Sequence, residues 1–163
     1  MLIEKLIQAI HSSTTEAHEA ALALGLLIER ERVNHQSSEE NDDRIREILG
    51  DELSTRRLSQ MEINTAVDEL IRYIDEAIEP DSMAIWALTK SYEPRVIPHL
   101  VALFDKVIND VNQENLTYQT LLGIINIGVP SKHKDLSLEA IRKASEHGYG
   151  QAKETATRYL ELF

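Results

Sequence analysis

Apolar residues return every three or four positions along most of this chain, and that period constrains its fold more than any other feature. Leu2, Ile3, Leu6, Ile7 and Ile10 open the pattern with a short amphipathic helix whose stripe must find a partner. Ala17, Ala20, Ala21, Leu24, Leu27 and Ile28 form one face of a second helix, with Ser13 and Glu16 ahead of it in capping-box spacing. Because Leu22, Ala23 and Leu26 are apolar as well, this helix is expected to be enclosed on several sides and central to the N-terminal half. Only 2 Phe, 1 Trp and 6 Gly stand beside abundant Leu, Ile, Ala and Glu, a composition poor in strand formers and in tight-turn residues. The expected class is all-α.

After a polar linker at 34–38, Ser37 and Glu40 repeat the capping spacing and open a helix that runs to Leu49. Gly50 stands where a left-handed C-terminal cap would want it. Ser59 and Glu62 open a longer helix in which Ile63, Ala66, Val67, Leu70, Ile71, Ile74 and Ile78 face inward and which ends before Pro80. Residues 51–58 carry no decisive pattern. Beyond Pro80 a weak repeat appears, in which Trp86, Leu88 and Pro94 are answered by Leu122, Ile124 and Pro130. Each copy reads as two helices. The first copy spans 81–92 and 98–111 around Pro94, with Leu100, Val101, Phe104, Val107 and Ile108 buried; the second spans 115–127 and 135–147 around Pro130, with Leu138, Ile141 and Ala144 buried. Asp135 is expected to cap the helix it opens, and a last helix turns Ala152, Ala156, Tyr159, Leu160 and Phe163 inward.

The stretch Ala84-Ile85-Trp86-Ala87-Leu88, followed by Glu93-Pro94-Arg95-Val96-Ile97-Pro98-His99-Leu100, resembles the inner helix, turn and proline-bearing outer helix of HEAT-type repeats. The resemblance covers the C-terminal half, residues 81–163. It implies stacked antiparallel helix pairs, an α-solenoid with a concave face, after an N-terminal helical bundle portion over residues 1–80. The 163 residues are expected to form one helical domain.

The chain has no Cys, which removes thiolate chemistry and cysteine metal sites and fits a reducing compartment. Its N-terminus lacks the unbroken apolar run of a signal peptide, and its longest such run, residues 20–28, falls far short of a membrane span. A soluble, cytoplasmic protein is expected. Histidines at 11, 18, 35, 99, 133 and 147 show no ligand spacing, and the glycines form no phosphate loop. Neither cofactor nor metal is expected, and Trp86 is read as core.

The charge is distributed unevenly. Residues 39–81 carry 14 acids against 5 bases, while residues 82–163 carry 9 of each, within a chain whose net charge is −11. Glu39, Glu40, Asp42 and Asp43 fall in the first turns of a predicted helix, where negative charge is favourable. Glu62, Asp68, Glu69, Asp75, Glu76 and Glu79 line the polar side of the next, with Arg72 as the one base among them. Like charges at such spacing cost a few tenths of a kcal/mol per pair, so helix stability does not ask for them. Phosphate recognition would need a basic footprint, which disfavours nucleic acid as a partner.

An acidic helix can instead occupy the phosphate-binding surface of a cationic nuclease. In size, acidity, lack of cysteine and fold the chain resembles the small helical immunity proteins of bacterial toxin–immunity systems, including the contact-dependent growth inhibition type. The resemblance implies a non-catalytic inhibitor that meets a basic toxin domain through Asp68, Glu69, Asp75, Glu76 and Glu79, with Asp42 and Asp43. Two other readings stay open: an adaptor that uses the concave face around 86–92 or 115–119, and a helical enzyme with a pair of carboxylates as acid and base.

Overall fold

The computed structural model describes residues 2–12, 15–32 and 39–162. Among these residues the chain is helical and has no strand, as the apolar period and the composition required. Its helices are α1 (Leu2–Ile10), α2 (Thr15–Arg32), α3 (Glu39–Ser54), α4 (Gln60–Glu76), α5 (Ser82–Thr89), α6 (Ile97–Val107), α7 (Glu114–Gly123), α8 (Lys134–His147) and α9 (Gly150–Glu161). Short 3-10 turns at Pro94–Val96 and Val111–Gln113 precede α6 and α7, and a π-helical stretch, Ile124–Gly128, continues α7. The expected caps at Ser13 and Ser37, the linker at 34–38, His35 and Phe163 lie outside the described residues, as do the side chains of Leu2, Glu39 and Glu40. The chain forms two compact units, Met1–Ser91 and Tyr92–Phe163.

In the first unit α2 is the axis. It packs against α1, α3 and α5, while α4 packs against α1 and α5. Ala17, Ala20, Ala21, Ala23, Leu24, Gly25, Leu26, Leu27 and Ile28 are all buried, so the nearly unbroken apolar run reflects neighbours on several sides. Gly25 sets the approach of α2 to α5: a Cβ there would stand 2.5 Å from the Trp86 ring and 2.9 Å from the Ala87 Cα. Trp86 therefore packs against α2, but it is half-buried and not fully in the core as expected. The Lys90 ammonium lies 4.9 Å from its ring centroid and 3.0 Å from the Glu29 carboxylate.

Gly50 departs from the expected cap. Its φ of 81° and ψ of 167° lie in a region that glycine enters freely, but not in the left-handed helical well, and one more helical turn follows it to Ser54. The connection from there to α4, which carried no legible pattern, is held from α2. The Arg30 guanidinium, whose side chain is only 9% exposed, donates to the carbonyls of Ser54 at 2.7 Å and Arg56 at 2.6 Å. The Glu31 carboxylate accepts the Leu58 N–H at 3.3 Å. Ser59 and Glu62 then start α4 as a reciprocal capping box: Ser59 Oγ accepts the Glu62 N–H at 3.2 Å and Glu62 Oε2 accepts the Ser59 N–H at 2.9 Å.

Ile63, Ala66, Val67, Leu70 and Ile74 of α4 are buried as expected. Ile78 is not: the helix ends at Glu76, Ala77 is extended, and Ile78 is 99% exposed. The cause is Pro80, which disfavours helical backbone in the residue before it and cannot itself donate to a further turn.

The second unit packs α6 against α7 and α8, and α9 against α7 and α8. Leu100, Val101, Phe104, Val107 and Ile108 are buried as expected, as are Ile141, Ala144, Ala152 and Ala156. Pro94 and Pro130 both fall in connections between successive helices. Asp135 does not cap α8, because the helix already starts at Lys134 after His133. Ser131 serves the preceding turn instead, its hydroxyl accepting the His133 N–H at 3.0 Å. The Glu114 carboxylate caps α9 from outside by accepting the Gln151 N–H at 3.1 Å. Between α6 and α8, Lys143 donates to Asp105 at 2.7 Å, a hydrogen bond that holds the ammonium above its ordinary range.

Candidate protein-binding surface

The central acids divide into two groups by their exposure. In one group the residue is half-buried. Asp42 is half-buried, 3.7 Å from the Arg30 guanidinium. Glu69 is half-buried, and its Oε2 pairs with Arg72 and lies 3.8 Å from His11 Nε2 on the other side. Glu62 closes the capping box and pairs with Arg56; the backbone hydrogen bond from Ser59 is the main cause that holds its carboxyl below the ordinary value of 4.5. Of Glu62, Glu69 and Glu76, which stand seven residues apart on the polar side of α4, only Glu76 is fully exposed.

In the other group the residues are exposed. Asp43 is exposed beside Arg46 at 2.8 Å. Asp68, Asp75, Glu76 and Glu79 are exposed as well. At 3.6 residues per turn, Asp68 and Asp75 stand within about 20° of each other on α4, with Glu69 and Glu76 in a second row about 100° around and Arg72 between the rows. Glu79 was expected on this helix and is not; it lies on the connection beyond Ala77. The acidic surface is thus a helix end plus a loop. From Tyr73 to Asp81 it contains four acids and no Lys or Arg.

That loop is held at both ends. The Ala77 N–H donates to the Tyr73 carbonyl at 2.9 Å, and the Asp81 N–H donates to the Tyr73 hydroxyl at 2.9 Å. Asp81 caps α5 by accepting the Met83 N–H at 2.7 Å, and its two oxygens lie 3.2 and 3.3 Å from His18 Nδ1 on α2. The Tyr73 ring meets His11 edge-on at a centroid distance of 5.8 Å, and Pro80 is buried. Tyr73, Asp81, His18 and Ile78 were absent from the sequence-based set. Pro80 was the one signal that could have revealed the loop.

This arrangement fixes negative charge at the solvent boundary. Among the described residues no three His, Asp or Glu side chains converge as a metal site would require, and no helix is long and apolar enough to cross a membrane. In the second unit, the rival surface has Asn115 exposed, Leu116 and Thr117 buried, and Tyr118 and Gln119 half-buried. Tyr92 is exposed with a φ of 51°, and an open depression of about 500 Å³ is lined by Glu93, Pro94, Arg95, Ser131 and Lys132. Compared with known proteins, the chain matches no family model, no curated sequence and no solved structure.

Proposed function

We propose that the chain is a non-catalytic protein-binding module whose first unit presents an acidic surface to a basic protein, and that it serves as an immunity protein against a cationic, nuclease-type toxin domain in the cytoplasm. The observation that carries this reading is the exposed set of Asp68 in the middle of α4, Asp75 and Glu76 at its C-terminal end and Glu79 on the following loop, with Asp43 on α3. Carboxylates on a pinned loop occupy the place that phosphates take in a nuclease cleft, and their field accelerates encounter with a basic surface. The order of helix, proline-bearing turn and helix supports reading the C-terminal half as degenerate HEAT-like repeats.

Glu69 and Asp42 are half-buried beside His11 and Arg30, so the exposed acids are the ones whose reversal tests this surface. Reversing Asp75, Glu76 and Glu79 to Lys together is expected to slow association with the basic partner by about tenfold or more at low salt, with little difference at high salt. An unchanged rate at low salt refutes the assignment of this surface. The adaptor reading draws on one observation, the exposed Tyr92 in a backbone conformation that disfavours tyrosine. It predicts that substitution of Tyr92, and not of the acids, abolishes partner binding.

A further inference from the structure

Ile78 is out of place in a solvent-facing acidic loop. Single exposed apolar residues are ordinary on protein surfaces. Three features together set this one apart. It is 99% exposed, the largest value among the large hydrophobic residues whose exposure is described. Its backbone is held before it by the Ala77 N–H bond to the Tyr73 carbonyl, and after it by buried Pro80, the Asp81 N–H bond to the Tyr73 hydroxyl and the α5 cap. It is also flanked in sequence by exposed carboxylates, Asp75 and Glu76 before it and Glu79 after it.

An apolar side chain on a constrained backbone within a charged rim matches the anatomy of a binding hot spot: the anchor fills a dry pocket and the rim steers and orients. Because the loop is already ordered, docking requires little further loss of conformational freedom. Charge selects the occupant. Nucleic acid or an anionic membrane would meet Asp75, Glu76 and Glu79 with like charge, whereas a protein surface edged by Lys and Arg would be drawn in.

We infer that Ile78 is the apolar anchor of the acidic surface and docks into an apolar pocket rimmed by basic side chains on a partner protein. This rests on the acidic-surface reading and deepens it. Two labelled twelve-residue peptides provide the probe, one alternating Lys and Ser, the other identical except for Leu at its two central Ser positions. Fluorescence anisotropy at low ionic strength is expected to show the Leu-bearing peptide binding about fivefold more tightly to the wild-type chain. Ile78→Ser is expected to bring that affinity down to the level of the Lys–Ser peptide, to leave the Lys–Ser affinity unchanged, and to leave the thermal midpoint unchanged.

Equal binding of both peptides, or a preference that survives Ile78→Ser, overturns the anchor. If both peptides then lose affinity on reversal of Asp75, Glu76 and Glu79, the acidic-surface reading stands without it. If neither peptide binds, both fall.

Discussion

Gly25→Ala sets two opposed effects against each other at one atom. In the middle of a helix, alanine in place of glycine is favourable by roughly 0.8–1.0 kcal/mol. The new Cβ, however, would stand 2.5 Å and 2.9 Å from Trp86 ring atoms and 2.9 Å from the Ala87 Cα. The half-buried ring can swing outward, at the expense of its packing and of the Lys90 contact. The Ala87 Cα belongs to the α5 backbone and moves only if the helix moves. Overpacking of this kind costs about 1–3 kcal/mol, and contact with backbone puts this site in the upper part of that range, so the balance is a net destabilisation of up to about 2 kcal/mol. Urea unfolding checks it through a lowered midpoint at unchanged slope. The same substitution in a Trp86→Ala background is expected to cost less, because the ring clash is gone and only the Ala87 contact remains. A stabilised Gly25→Ala protein, or an identical cost in both backgrounds, refutes the claim that this close approach sets the α2–α5 packing.

Glu62 supplies a pH-dependent prediction. Its folded-state carboxyl lies below its ordinary value of 4.5, so the unfolded chain takes up the proton first as pH falls. The contribution is whole above about pH 4.5 and is lost as pH drops through the folded value, so the stability gap between wild type and Glu62→Gln is expected to narrow from pH 6 to pH 3 in thermal unfolding. Arg30→Met leaves the carbonyls of Ser54 and Arg56 without their donor and is expected to destabilise by about 2–4 kcal/mol, measured by urea unfolding, with faster amide exchange over 54–58. Tyr92→Gly relieves a positive φ and is expected to raise stability by about 0.5–1 kcal/mol in the same assay; a loss of stability would show that the Tyr92 side chain contributes more than its backbone costs.

Local signals carried the helices and failed where a partner came from elsewhere in the chain. Nine nearly contiguous apolar residues in α2 can only be covered by neighbours on several sides, and Ser59 with Glu62 placed the start of α4 directly. The inward stripe of α4 was legible to Ile74 and failed at Ile78, because periodicity was extended through the influence of Pro80. The connection at 51–58 had no local pattern because its order comes from Arg30 and Glu31, more than twenty residues earlier. The exposure of each acid was hidden for a related reason. Counting charge along α3 and α4 cannot reveal that Arg30 stands beside Asp42, or that His11 stands beside Glu69. The match of Trp86 and Pro94 with Leu122 and Pro130 found two helix–turn–helix segments, yet it carried no sign that α5 belongs to the first compact unit.

The central claim is that the outward acids of α4 and its loop hold a basic protein. The most direct measurement immobilises the wild-type chain and the Asp75→Lys, Glu76→Lys, Glu79→Lys variant side by side and passes lysate and culture supernatant of the source organism over both, at low and then moderate salt. The account predicts one small basic protein, toxic when expressed alone, retained by the wild type and lost from the variant. Retention of the same protein by both would contradict it.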